Sequence, residues 1–258
     1  MRFSSSALVL GTLAAGQATA ASMYHGKQHN HAARHADILK AHHQGRSLKA
    51  RDTSLLSAVD GDMIKNLGFS ASGLNPTSAS GLSPWIGDDG QFTNEFINQG
   101  EEDLVLAVWG PQGSWVNAVT PQLTISIPSS GSKTVSFPIG WSGAWAPVHS
   151  GSQLVNGQIF DTWGEGTFAP PYSVVDVSRE VNMKGKSMAI HTPQCISDMD
   201  TCVFKCSDES VEQCLTGYEL VNCATGSQAG ANFGTYEGAA SGGCGGMGDS
   251  AALKTYLG

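Results

Sequence analysis

Two short runs of alternating apolar and polar residues constrain this chain most. Leu123, Ile125 and Ile127 alternate with Thr124 and Ser126, and after a turn at Ser129–Ser132 the pattern resumes at Val135, Phe137 and Ile139. A period of two places every apolar side chain on one face of an extended strand, so the pair predicts a β-hairpin with one buried face. Asp103–Trp109 adds a continuous apolar run (Leu104, Val105, Leu106, Ala107, Val108) suited to a strand buried on both faces. Further strands are predicted at Phe92–Ile97, Gly143–Val148, Gln158–Phe168, Ser173–Val177 and Ser187–His191. Short strands at this spacing, separated by turn residues, predict an all-β fold, an antiparallel β-sandwich over residues 91–193.

The flanking regions read differently. Arg2, the apolar stretch Ala7–Ala15 and the small-x-small Ala18-Thr19-Ala20 have the form of a signal peptide over residues 1–20, which implies a secreted, extracellular protein. Residues 21–51 hold six of the eight histidines (His25, His29, His31, His35, His42, His43) and few large apolar residues, as a removable pro-segment ending at Lys49-Ala50-Arg51 would. Residues 52–90 read as an irregular N-terminal segment: a short amphipathic helix over Ser54–Leu67, then a Ser-, Gly- and Pro-rich stretch from Ser70 to Pro84. Residues 194–258 carry all six cysteines, Cys195, Cys202, Cys206, Cys214, Cys223 and Cys244, and a Gly-rich stretch from Ala224 to Gly248. An even count in an exported chain predicts three disulfides holding a loop-rich C-terminal region, in any of about 15 connectivities.

Charge excludes several classes of partner. The chain carries a net charge of −8, and loss of residues 1–51 would leave 7 basic and 21 acidic residues, a net charge of −14. Nucleic acid and anionic membrane both call for Lys and Arg clusters, which are absent here, and no segment is long and apolar enough to span a bilayer. A neutral polysaccharide or a host or cell-wall protein fits better, bound by a monomer. No cofactor is expected: the Gly-rich stretch lacks the Lys-Ser/Thr of a phosphate loop, and no Gly-x-Ser-x-Gly elbow accompanies His149 or His191. The acidic pairs Asp60/Asp62, Asp88/Asp89 and Asp198/Asp200 match no calcium loop and read as solvated turns.

The densest chemistry lies in Asp161-Thr162-Trp163-Gly164-Glu165. On a strand, Asp161, Trp163 and Glu165 would share a face, with Asp176 and Glu180 on or near a later strand. Carboxylates beside an indole can bond hydroxyls and stack on a sugar ring, so these five are the candidate ligand-binding residues. An acidic protein also places carboxylates on its solvent face with no such role, which is the preferred reading against catalysis. If the protein were an enzyme, Glu165, Asp161 and Asp176 would carry the reaction, at the roughly 5 to 9.5 Å carboxyl separations of glycoside hydrolysis. Of the six tryptophans, Trp109 is expected in the core. Trp115, Trp141 and Trp145 sit beside Gly and Ser in turns, where they would form a carbohydrate platform or pack against loops.

One resemblance goes beyond these patterns. Phe96-Ile97-Asn98, Leu104–Trp109, the Leu123–Pro138 hairpin and Gly140-Trp141-Ser142-Gly143-Ala144-Trp145 resemble the opening of thaumatin-like proteins. Thr162–Phe168 and Tyr172–Ser178 are similar to two later strands of that family, in the same order. The resemblance implies that Glu165 and Asp176 fall on two acids of the family's cleft with Glu180 near a third, and that the protein binds or weakly hydrolyses β-1,3-glucan. This chain departs from the family in lacking cysteines before Cys195 and in having no cleft arginine at Ala146-Pro147-Val148. The whole chain, with its His-rich residues 21–51, its tryptophans and its Gly-Gly-Cys-Gly-Gly run at 242–246, also resembles secreted allergen- or effector-type proteins of filamentous fungi, which implies secretion, often with no assigned activity, and makes an effector's part in virulence an expectation. The expectation is a secreted non-catalytic protein that binds β-1,3-glucan or a host target. The alternatives are a weak endo-β-1,3-glucanase and a surface or coat protein without a ligand.

Overall fold

A computed structural model describes residues 55–258. The expected signal peptide, His-rich pro-segment and cleavage points lie outside the described residues. The first element is helix α1 (Ala58–Leu67), opened by Ser57, whose side chain accepts from the Asp60 amide. It is closed by Gly68 at φ 102°, a left-handed cap that glycine adopts without a Cβ penalty. The helix falls within the span predicted from apolar spacing.

Two packed sheets follow. The first contains β1 (Trp85–Ile86), β2 (Phe92–Asn98), β5 (Ser132–Phe137), β11 (Met188–His191), β12 (Ile196–Ser197) and β17 (Ala251–Leu257), in the order β1-β5-β2-β17-β11-β12. The second runs β14-β13-β10-β9-β6-β3-β4, from β3 (Leu104–Trp109), β4 (Leu123–Ile127), β6 (Trp141–Val148), β9 (Trp163–Phe168), β10 (Val174–Ser178), β13 (Val203–Cys206) and β14 (Tyr218–Val221). A hairpin of β15 (Ala231–Tyr236) and β16 (Ala239–Cys244) joins this sheet through β16, which pairs with β10, and β7 (Leu154–Val155) forms a small ribbon with β8 (Gln158–Ile159). The all-β sandwich is as predicted. Most pairings are antiparallel, but β17 runs parallel to β2 and β13 parallel to β10.

The strand β3 is buried on both faces, as its apolar run requires. Leu104, Leu106 and Val108 enter the core between the sheets, while Val105, Ala107 and Trp109 enter a second core with Leu56, Ile64 and Phe69 of the N-terminal segment. The predicted hairpin is different. Leu123–Ile127 and Ser132–Phe137 are consecutive strands, yet they lie in different sheets, so the Ser129–Ser132 turn is a corner between layers. Alternation gave each strand its buried face but not its partner.

The C-terminal region is tied into the sandwich. Six strands follow Cys195, and the last is inserted between β2 and β11, with Thr255 facing Asn94 across a buried hydrogen bond of 2.8 Å. The three disulfides are Cys195–Cys244, Cys202–Cys223 and Cys206–Cys214. No helix among the described residues is long and apolar enough to cross a membrane.

Candidate functional site

The strand predicted from Gln158 to Phe168 is broken. It is divided into β8 and β9 by a bend at Asp161, so Asp161 does not share the alternation of Trp163 and Glu165. Within β9 that alternation holds. Gly164 and Gly166 lie beneath the Trp145 indole on the inner face, and Trp163 lies on the outer face in the second core. Trp163 is fully buried, its ring centroid 4.8 Å from that of Trp109 and its Nε1 donating to the Ile159 carbonyl at 2.8 Å. It therefore belongs to the core and cannot stack on a ligand. The same holds for the proposed platform: Trp141 and Trp145 are buried, and only Trp115 is half-buried among the three turn tryptophans.

Glu165 and Asp176 do come together, as directly opposed residues of β9 and β10. Each is 0% exposed, and Glu180 is 2% exposed, with its carboxylate accepting from the Ser178 hydroxyl at 3.4 Å. Phe204 of β13, Tyr218 of β14 and Ser241–Gly242 of β16 close over Glu165 and Glu180. The space left beside them is about 10 Å³, the room of a single water rather than of a sugar. The acids expected on an open face are thus sealed under the curled end of the second sheet. The family resemblance set Glu165 and Asp176 together, but the sequence carried no sign of the cover, which comes from the later strands β13, β14 and β16.

Asp161 helps build a different site. Its Oδ1 accepts from the backbone N–H of Thr162 at 2.8 Å and of Lys186 at 2.6 Å. His149, just beyond β6, lines the same pocket of about 290 Å³ with Phe160, Asn182, Lys186 and Glu102. Its imidazole is 2% exposed, and Nδ1 lies 3.7 Å from Glu102 Oε1, too long for a hydrogen bond. Glu102 is held by the Lys186 ammonium at 3.1 Å and the Ser150 hydroxyl at 2.9 Å. These contacts, led by the Ser150 hydroxyl, lower its pKa. Burial and then the Lys186 charge lower the pKa of His149, against the pull of Asp161 and Glu102. Burial raises that of Asp161, against its two backbone donors and the neighbouring His149 and Lys186. Nothing local in the sequence linked His149 to Asp161. The two meet because β6 and β9 are antiparallel neighbours whose ends coincide.

The larger concavity lies at the other end of β9. A groove of about 630 Å³ runs between the Pro171–Val174 segment and the β15–β16 hairpin. Tyr172 and Tyr236 flank it, Asn232, Thr235 and Ser241 add hydroxyl and amide groups, and glycines form much of the remainder. Among the described residues, no Asp, Glu, Lys, Arg or His lines it. The close approach of β16 to its neighbours requires glycine: at Gly242, φ is 134° and a Cβ would lie 2.0 Å from the Asn232 carbonyl oxygen. Among the described residues, the one group of His, Cys, Asp and Glu close enough to share a metal ion is Cys195, Cys202 and Cys244, whose sulfurs are all in disulfides.

No family model matches the chain, and no curated protein matches it. Among solved structures it is similar to a thaumatin-like xylanase inhibitor, TLXI, at 9% identity and a TM-score of 0.36, covering 64% of this chain and 97% of that one. It is also similar to the protein elicitor MoHrip2 from Magnaporthe oryzae, at 8% identity and a TM-score of 0.33, covering 64% of this chain and 98% of that one.

Proposed function

We propose that this is a secreted, non-catalytic protein that binds a neutral cell-wall polysaccharide, β-1,3-glucan foremost, through the groove between Tyr172 and Tyr236. The observation that carries this reading is that, among the described residues, no charged side chain lines this groove of about 630 Å³, although the protein is strongly acidic. A neutral glycan offers hydroxyls to Asn232, Thr235, Ser241 and exposed backbone, and apolar ring faces to the tyrosines. Hydrolysis would need a sugar between two accessible carboxyl groups. Glu165, Asp176 and Glu180 have space for about one water beside them, which is why binding is favoured over turnover.

The test mixes the full chain with insoluble β-1,3-glucan, chitin and cellulose and measures the fraction depleted from solution. Selective depletion onto β-1,3-glucan is expected, reduced by Tyr172→Ala and Tyr236→Ala. Tyr172 is 60% exposed, so its truncation should leave the fold intact. Glu165→Gln should leave binding unchanged, and a loss of binding or the appearance of reducing ends abolished by that change would return the role to the acids. Depletion onto none of the three would overturn wall binding and direct the search to a protein partner.

A further inference from the structure

The pocket at the opposite end of β9 is built from groups whose hydrogen-bonding capacity is not used by the fold. Both ring nitrogens of His149 are buried and make no hydrogen bond among the described residues. A neutral imidazole carries one donor and one acceptor. Asp161 receives its two backbone N–H groups on Oδ1, and its other oxygen accepts from neither. Lys186 spends one of its three N–H donors on Glu102 and is 44% exposed at the rim. Phe160, half-buried, supplies an apolar wall. The pocket holds about 290 Å³.

This inventory selects a ligand class. An ammonium group offers donors only and would leave the imidazole N–H and the spare Lys186 donors unmet. A carboxylate or phosphate offers acceptors only and would face Asp161 and the imidazole lone pair. A hydroxyl is both donor and acceptor, and several on one small ring satisfy both kinds of group while the ring's C–H face covers Phe160. We propose that Glu102, His149, Phe160, Asp161 and Lys186 form a second site, separate from the tyrosine groove, that binds a single hydroxylated ring of monosaccharide size.

The experiment is a nuclear magnetic resonance titration of the full chain carrying ¹⁵N-labelled histidine. Three six-membered-ring probes are used: D-glucose, cyclohexylamine and cyclohexanecarboxylate. The His149 signals are those lost in His149→Gln, and those of His191, at the far end of β11, serve as an internal control. D-glucose is expected to shift the His149 nitrogens saturably while His191 stays still. Asp161→Asn preserves acceptance from the two backbone amides, and Lys186→Met keeps the side-chain stem at an exposed position. Each should weaken the D-glucose affinity by a factor on the order of ten. A saturable response to cyclohexylamine or cyclohexanecarboxylate alone would overturn the ligand class. No response to any probe would overturn the site. Because free D-glucose is read at His149, the result is independent of depletion onto insoluble glucan and of Tyr172.

Discussion

The substitution Gly164→Ala isolates the contact that shapes the sandwich core beneath the candidate acids. A Cβ built at Gly164 would lie 2.1 Å from Trp145 Nε1, 2.3 Å from Cε2 and 2.8 Å from Cζ2. Non-bonded heavy atoms settle at roughly 3.5 Å or more, so the indole would have to retreat by about 1.4 Å. It has nowhere to go: Trp145 is 0% exposed, packed edge-on against Phe96 at 5.6 Å between centroids and tilted against Phe137 at 6.0 Å. Overpacking of this kind costs about 1–3 kcal/mol, and the upper end applies to a rigid ring, while loss of glycine entropy in the unfolded chain returns roughly 0.5 kcal/mol. The expected net loss is about 2.5 kcal/mol, read as a fall of roughly 1 M in the urea midpoint or of about 5–10 °C in Tm, with disulfides intact. In a Trp145→Phe background the clashing atoms are gone, and the same substitution should cost under about 1 kcal/mol. Equal cost in both backgrounds would refute the idea that the glycines of β9 exist to admit this indole.

Removing the longest-range disulfide with Cys195→Ser and Cys244→Ser together should destabilise the protein by about 4 kcal/mol on chain-entropy grounds, since the bond closes a sequence separation of 49; calorimetry would check it. The Cys206–Cys214 pair, separated by 8, should cost about 2.5 kcal/mol in the same assay. The pKa of His149 is lowered in the folded state, so below its ordinary value of 6.5 the unfolded chain binds more protons and stability falls as pH falls. Urea midpoints of wild type and His149→Gln should therefore diverge below pH 6.5, and parallel curves would contradict the buried, neutral imidazole facing Glu102, Asp161 and Lys186. For Asp161 the sign is opposite: its pKa is raised above 3.8, the folded state holds the extra proton, and its contribution to stability is lost as pH rises through the folded value. Asp161→Asn should remove that loss, so the advantage of the variant over wild type grows as pH rises from 4 to 7.

Local pattern carried much of the fold. The alternation in β4 and β5, the doubly buried β3 and the helix before them all follow from which side chains must leave water. The three disulfides followed from six cysteines in a chain with a leader-like start. Strand β17 was also legible in principle, since Ala251, Leu253, Thr255 and Leu257 alternate with Ala252, Lys254 and Tyr256, but one threonine and two alanines dilute the signal. The bend at Asp161 was not, because its cause is the pair of N–H groups donated by Thr162 and by Lys186, 25 residues away.

The site divides along the same line. From the sequence alone, the alternation within each strand and the acidity of residues 52–258 were legible, because strand period and net charge are local or additive properties, while the family resemblance set Glu165 with Asp176. Only the tertiary structure decided that these acids are sealed, that Trp141, Trp145 and Trp163 are core, that the open groove is uncharged, and that His149 meets Asp161. Each of those depends on what lies across a strand's face, and periodicity specifies the face without specifying its opposite. What covers Glu165 is set by β13, β14 and β16, held against β10 through the pairing of Val175 with Cys244 and the disulfide from Cys244 to Cys195.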